Sequence, residues 1–422
     1  MTGWLKSRPA LAWALYDWGN SAFATTVMAG FFPTFFRQFW SSGVDGSMTT
    51  YRLGMANAAA GLVVALLAPL LGAIADRGGY RKRMLLAFSL LGIATTLALY
   101  FVGQGQWLLA ASLFALGTLG FNGGIVFYDA LLLDVAQPHE LDRVSALGYA
   151  LGYLGGGLLF ALNVFMVLKP TLFGLAGPAD AVRWSFVTVA VWWLVFLVPL
   201  MLYVRESPPV DSRQDLNAWT AGWRELAATV RRLRSHRMLL LFLVAYWLYI
   251  DAVNTIIKMA VDFGMAIGLQ SADLLGALLL TQFVAFPAAI VFGRLGERFG
   301  ARRSVLLGLV VYSALTVWAF FLSSALEFYA MAVVVGLVQG GVQSLSRSLF
   351  GKLVPHGKSA EFFGFYNMVG KFGTVLGPAL MGVIALLTGS TRASILSLLL
   401  LFVAGGALLY RVRPGEAGHA AT

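Results

Sequence analysis

Apolar stretches separated by short polar loops fill this 422-residue chain. They lie near residues 10–36, 51–75, 84–103, 107–135, 145–168, 183–204, 238–263, 272–293, 304–324, 328–351, 361–387 and 393–411. Stretches of ~20 apolar residues suit helices that cross the hydrocarbon core of a bilayer. Backbone polar groups find no water there, so each span must satisfy its own hydrogen bonds as a helix; a membrane barrel would show alternating segments of about 10 residues instead. The pattern predicts an all-α integral membrane protein of twelve transmembrane helices. The first stretch is long and lacks a small-residue cleavage site, so a signal anchor rather than a removable signal peptide is expected.

Polar side chains inside these stretches recur at every third one. The first carries Asp17 and Asn20; the fourth Asn122, Tyr128 and Asp129; the seventh Asp251, Asn254, Lys258 and Asp262; the tenth Gln339, Gln343 and Arg347. Spans three, six, nine and twelve hold no charged residue in their interiors. A charge at the bilayer centre costs about 2.5–3.5 kcal/mol on insertion scales, so such residues persist where they meet a partner or a watery cavity. One central cavity lined by the four polar helices is predicted. Within the seventh span, Asp251, Asn254, Lys258 and Asp262 recur at helical spacing and form one strip.

The chain also repeats itself. Gly72, Asp76, Arg77, Gly79 and Arg81 after the second span return as Gly293, Glu297, Arg298, Gly300 and Arg302 after the eighth, offset by 221 residues. Asn122–Gly–Gly124 followed by Pro138–His139 matches Gln339–Gly–Gly341 followed by Pro355–His356, offset by 217. Two pseudo-symmetric six-helix halves are expected, 1–204 and 238–422, joined by a polar segment over 205–237. In that segment Leu216, Trp219, Trp223, Leu226, Val230 and Leu233 lie opposite a row of arginines, which predicts an amphipathic helix on the membrane surface.

Composition narrows the function. The chain is 59% hydrophobic and 12% charged, with net charge +11. Of the thirty Lys and Arg residues, 22 fall in loops and tails on one side of the predicted topology and five on the other, which makes both termini cytoplasmic. The basic balance therefore reflects topology, and no nucleic-acid partner is expected. There is no cysteine, and all four histidines sit in loops or the tail, so no disulfide, thiol chemistry or intramembrane His or Cys metal site can form. Neither an enzyme nor a cofactor is indicated.

Twelve spans in two halves, with an acidic-Arg-x-Gly-x-Arg loop after the second span of each, resemble the major facilitator superfamily of secondary transporters. A narrower resemblance lies in Tyr16–Asp–Trp–Gly–Asn–Ser–Ala–Phe23, Asp251–Ala–Val–Asn–Thr–Ile–Ile–Lys–Met259, Gly340–Gly–Val–Gln–Ser–Leu–Ser–Arg–Ser348 and Glu361–Phe–Phe–Gly–Phe. These blocks are similar to the vacuole-effluxer branch, whose fungal members are implicated in releasing amino acids from the vacuole. The resemblance implies a small polar or zwitterionic solute moved by alternating access, a monomer in the bilayer, and a bacterial inner-membrane location. It also implies that Asp76 and Glu297 cap neighbouring helices and, with the basic residues of their loops, lock the halves in the outward-open state. Without it, the basic residues alone would serve orientation, which leaves the repeated glycines unexplained.

Two roles stay open for the polar strips. Asp17, Asn20, Asp251, Asn254 and Lys258 can form a substrate site in which Lys258 meets a carboxylate, or pair internally as scaffold. Asp129 and Arg347, facing one another across the cavity in this fold, can form a gate or a permanent tie, and Gln339 and Gln343 offer donors and acceptors to a solute. Tyr366, Asn367 and Lys371 of span eleven and Asn163 of span five can border the cavity or pack between helices, and packing is the expected role. A carboxylate whose cationic neighbour comes and goes can load and release a proton, so Asp17 and Asp251 are candidates for proton coupling. Two other functions fit the composition: a lipid or lysolipid translocase of the same fold, marked by an apolar-walled cavity, and a non-transporting sensor acting through 205–237.

Overall fold

A computed structural model describes residues 7–208, 237–266, 270–322, 324–355, 357–373, 376–389 and 391–413. Every regular element in it is helical. The first span begins as α1 (Arg8–Ala22) and continues, without leaving helical geometry, through π-type windings at Phe23–Phe31 and Phe36–Trp40. Then follow α2 (Gly46–Gly78), α3 (Arg81–Ala98), α4 (Trp107–Val135), α5 (Leu141–Leu168), α6 (Pro178–Tyr203), α7 (Arg237–Ala266), α8 (Ser271–Phe299), α9 (Ala301–Phe321) and α10 (Ala325–Gly351). The eleventh span is divided into α11 (Ser359–Phe372) and α12 (Leu376–Thr388), and the twelfth into α13 (Thr391–Ile395) and α14 (Leu398–Arg411). Eleven helices among the described residues are long and apolar enough to cross a membrane. The π-wound first span completes the twelve of the two-bundle fold. Residues 209–236, which hold the whole apolar stripe of the expected amphipathic helix, lie outside the described residues.

Small residues let the halves touch backbone to backbone. A Cβ on Gly72 of α2 would run into the backbone of Ala360 at the start of α11, and one on Gly364 of α11 would lie 2.6 Å from the Ala68 carbonyl oxygen. On the other side of the molecule, a Cβ on Gly293 of α8 would come within 2.6 Å of the Ala146 Cβ of α5. The α2–α11 and α5–α8 contacts thus form the seam between halves. Helices without interior charge turn apolar side chains outward: Val195 and Leu202 of α6, Leu307 and Val310 of α9, and Leu400 and Val403 of α14 are all exposed, as a lipid-facing surface requires.

The repeated loop glycines have a conformational reason. Gly79 and Gly300 both adopt positive φ, +64° and +89°, a region that only glycine enters without strain. Each turns the chain from one span directly into the next.

Candidate functional site

A cavity of about 570 Å³ lies between the halves, with residues of α1, α4, α5, α7, α8, α10 and α11 in its wall. Its charged floor is built around Arg347. The guanidinium is 2% exposed; its Nη1 donates to Asp129 Oδ1 at 3.0 Å, its Nε to the Ser145 hydroxyl at 2.9 Å and its Nη2 to the Ser145 carbonyl at 2.9 Å. It also stands 4.4 Å from the Tyr149 ring centre, 4.9 Å from Trp13 and 5.4 Å from Tyr128, within cation–π range of all three. Trp13 and Tyr128 are themselves stacked at 4.3 Å, and the Trp13 indole N–H donates to the Tyr128 carbonyl at 2.8 Å. Gly148 makes room for this box, since a Cβ there would lie 2.7 Å from the Tyr128 hydroxyl.

Charge extends up both walls. Asp17 accepts from the Tyr128 hydroxyl at 3.3 Å and from Ser21 at 3.1 Å. The Asn367 amide donates to the second Asp129 oxygen at 3.0 Å, and Lys371 donates to the Asn122 side-chain oxygen at 2.6 Å. The Tyr153 hydroxyl donates to Gln343 at 3.0 Å. Two carboxylates, one guanidinium and one ammonium therefore face one volume, with amide and phenol groups between them.

Asp17, Asn122, Tyr128, Asp129, Asn254, Gln339, Gln343 and Arg347 line the cavity. Asn20 does not. It shares a helix face with Tyr16, one turn away, whose hydroxyl meets Ser89 of α3 at 2.8 Å, so that face points into the first half rather than the cavity. Asp251 is also displaced from its expected role. In α7 the cavity face is Ile250, Asn254 and Ile257, whereas Asp251 and Thr255 lie about 100° around the helix. The fully buried Asp251 carboxylate accepts from the backbone N–H groups of Leu376 at 2.8 Å and Gly377 at 2.9 Å, and from the Thr255 hydroxyl at 3.2 Å. It caps the first turn of α12 at the break in the eleventh span. The side chains of Lys258 and Asp262 lie outside the described residues.

Three residues assigned to packing prove to be cavity residues: Tyr366, Asn367 and Lys371. Asn163, by contrast, is buried and accepts from Thr188 of α6 at 2.9 Å, a packing bond. Tyr149, Tyr153 and Gln282 were not singled out by sequence. The spacing of Tyr149 and Tyr153, one turn apart in a glycine-rich helix, was the available signal.

The loop end of the cavity is shut by contacts between halves. Asp76 accepts from the Ala360 and Glu361 N–H groups at 3.0 and 2.8 Å, capping α11 across the seam. Arg81 donates to Ser359 at 2.8 Å and pairs with Asp134 at 2.9 Å. The second copy of the motif departs from the first. Glu297 pairs with Arg143 at 2.7 Å instead of capping a helix, and Arg302 donates to the Tyr410 and Val412 carbonyls of its own half, at 3.1 and 2.7 Å. Arg298 lies over the Phe299 ring. The start of α5 is held by Asp142 instead, which binds Lys352 through both oxygens at 2.7 Å and accepts from Ser348 at 2.7 Å.

Residues 46–421 match the family model described as vacuole effluxer Atg22 like. The chain belongs to that family. An uncharacterized MFS-type transporter of Bacillus subtilis, YxiO, is 38% identical over 94% of this chain and 93% of its own length. Autophagy-related protein 22 of Yarrowia lipolytica is 25% identical over 78% of this chain and 70% of its own length. Among solved structures, the human organic anion transporter MFSD10 superposes with a TM-score of 0.70 at 17% identity, covering 95% of this chain and 99% of that one. FucP in the outward conformation gives 0.72 at 13% identity, covering 97% and 99%. At these identities the two structures establish the fold alone. This effluxer-family chain is thus a multi-pass membrane protein of the major facilitator transporter class.

Proposed function

We propose that the protein is a proton-coupled secondary transporter of a small zwitterionic solute, amino acids being the leading class, and that it works as a monomer in a bacterial inner membrane with both termini cytoplasmic. The observation that carries this reading is the Arg347–Asp129 pair at the floor of a cavity that also holds Asp17 and Lys371. A solute with one carboxylate and one ammonium group complements such a set, because each charge finds an opposite one in a region poor in water. A substrate carboxylate reaching Arg347 competes with Asp129, and Asp129 sits on α4 while Arg347 sits on α10. Substrate arrival therefore loosens a tie between the halves, which is the differential interaction that alternating access needs.

Closure of the loop end by Asp76, Arg81, Glu297 and Asp142 makes the described state outward-facing in this orientation. Asp17 is the better proton carrier of the two candidates, since it faces the cavity and its hydrogen bonds come from hydroxyls that can turn away. Asp251 is committed to backbone N–H groups.

A thermal-shift screen of the purified protein with amino acids, dipeptides, sugars, nucleosides and lysolipids tests the cargo class. A carboxylate-bearing ligand at a hundred times its dissociation constant adds about 2.7 kcal/mol, and Arg347→Gln, which removes the carboxylate's partner, should abolish that gain. A screen in which only sugars or nucleosides bind would refute the zwitterion reading. In proteoliposomes, Asp17→Asn should keep solute exchange but lose its response to an imposed pH gradient; an unchanged response removes Asp17 from coupling. A second reading, a lysolipid translocase, draws on the apolar upper wall formed by Met28, Ile257, Leu278, Phe328 and Met331. A lysolipid hit with silence from polar solutes would favour it.

A further inference from the structure

Three amides facing the cavity are already engaged. Asn254 donates to the Gly373 carbonyl at 3.2 Å, Asn367 donates to Asp129 and to the Phe363 carbonyl, each at 3.0 Å, and Asn122 accepts from Lys371. Gln339 and Gln343 of α10 differ. They share one helix face with Arg347, at successive four-residue steps, and all three line the cavity. Tyr153 of α5 meets them from the opposite half: its hydroxyl donates to the Gln343 carbonyl oxygen at 3.0 Å and has Gln339 as its other hydrogen-bonding neighbour. Gly340 permits this approach, since a Cβ there would lie 2.8 Å from the Tyr153 ring.

Each glutamine amide carries two N–H donors and a carbonyl with two lone pairs, so one phenol leaves most of that capacity unused. Among the described residues, the Gln343 NH2 group has no partner and Gln339 has none besides Tyr153. Both side chains are partly exposed to the cavity. A solute that enters displaces water from them, and an apolar group would then leave donors and acceptors unpaired. Helical rise sets the reach. Gln343 lies about 6 Å outward of Arg347 along α10 and Gln339 about 12 Å. Beside Arg347 the floor is filled by Trp13, Tyr128 and Ser145, so a solute whose carboxylate meets the guanidinium extends its side chain outward along this strip. A carboxamide carried on two methylenes stands roughly one helical turn from its own carboxylate, level with Gln343. It presents a donor and an acceptor side by side, the complement of another amide.

We propose that Gln339, Gln343 and Tyr153 read the solute's side chain and select one ending in a neutral carboxamide, as in glutamine, over an apolar side chain of similar length. This rests on the zwitterion reading above and adds the identity of the tail to it. A site built around hydrogen-bonding groups rejects the analogue that lacks them far more strongly than an apolar pocket rejects a small change of size.

Purified full-length protein is titrated calorimetrically with glutamine, methionine and leucine. Glutamine should bind about tenfold or more tighter than either apolar solute. In Gln343→Leu, glutamine should weaken about tenfold while methionine holds or gains, which brings the two near parity. Gln339→Leu, one turn further from the Arg347 network, should move the ratio the same way and serves if Gln343→Leu does not fold. The ratio of two affinities within one variant is independent of how much of the sample is folded, so general destabilisation cannot mimic the result. Equal affinity for glutamine and methionine in the unaltered protein, or equal weakening of both in the variants, would overturn the side-chain assignment and leave the zwitterion reading intact. Should none of the three bind, both fall together.

Discussion

Arg347 concentrates the chemistry of the cavity in one side chain. A buried guanidinium keeps its charge, so its solvation must be replaced by a carboxylate, a hydroxyl, a carbonyl and three aromatic faces. Removing one member of a buried ion pair strands the other in a medium that cannot solvate it. Arg347→Gln is therefore expected to cost about 3–5 kcal/mol of stability. Arg347→Gln combined with Asp129→Asn should cost clearly less than the sum of the single changes, a coupling that a double-mutant cycle of melting temperatures will register. Strict additivity would mean that Asp129 is held by Asn367 and solvent rather than by Arg347. Lysine cannot substitute, because a point charge cannot hold Asp129 and both Ser145 oxygens at once.

Among the elements, the broken eleventh span depends most on a single distant side chain. The first N–H groups of α12 would be unsatisfied inside a bilayer, and Asp251, 125 residues earlier in sequence, supplies the acceptor. Asp251→Ala should lower stability by about 1–2 kcal/mol, the usual worth of an N-cap, while leaving the ligand-induced thermal shift in place. Loss of the ligand shift in a folded Asp251→Ala protein would return the residue to the binding site. The same strip in α7 explains why sequence placed Asp251 in the cavity. Helical spacing identifies which residues share a face, but Asp251 and Asn254 lie about 60° apart around α7, enough for one to meet the cavity while the other turns to α12, and rotation of α7 about its axis is set by its neighbours. The cavity roles of Asn367 and Lys371 were hidden for the same reason, since a polar residue on a glycine-rich seam helix looks alike whether it faces a neighbour or a void.

The whole molecule is two bundles held shut at one end by a seam with no spare volume. Gly72 and Gly364 bring α2 and α11 to backbone contact, and Asp76 caps α11 from the opposite half. Gly72→Val should push this seam apart and favour the state open at the loop end. The chain has no native cysteine, so a single Leu141→Cys, buried near Gly351 of the opposite half, reports opening by its reaction with a water-soluble thiol reagent. Labelling should be faster with Gly72→Val than without it; equal rates would mean that the α2–α11 contact does not limit opening. The sequence by itself determined the spans, from hydropathy, the twofold repeat, from a recurring loop motif, and the family, from the motif blocks that resemble it, because each of these is carried by residues close together in the chain. Only the tertiary structure decided which polar groups share the cavity, that Asp251 caps a helix, and that Glu297 turns to Arg143. Those outcomes depend on helix rotation and on partners far apart in the chain, and no local pattern encodes either.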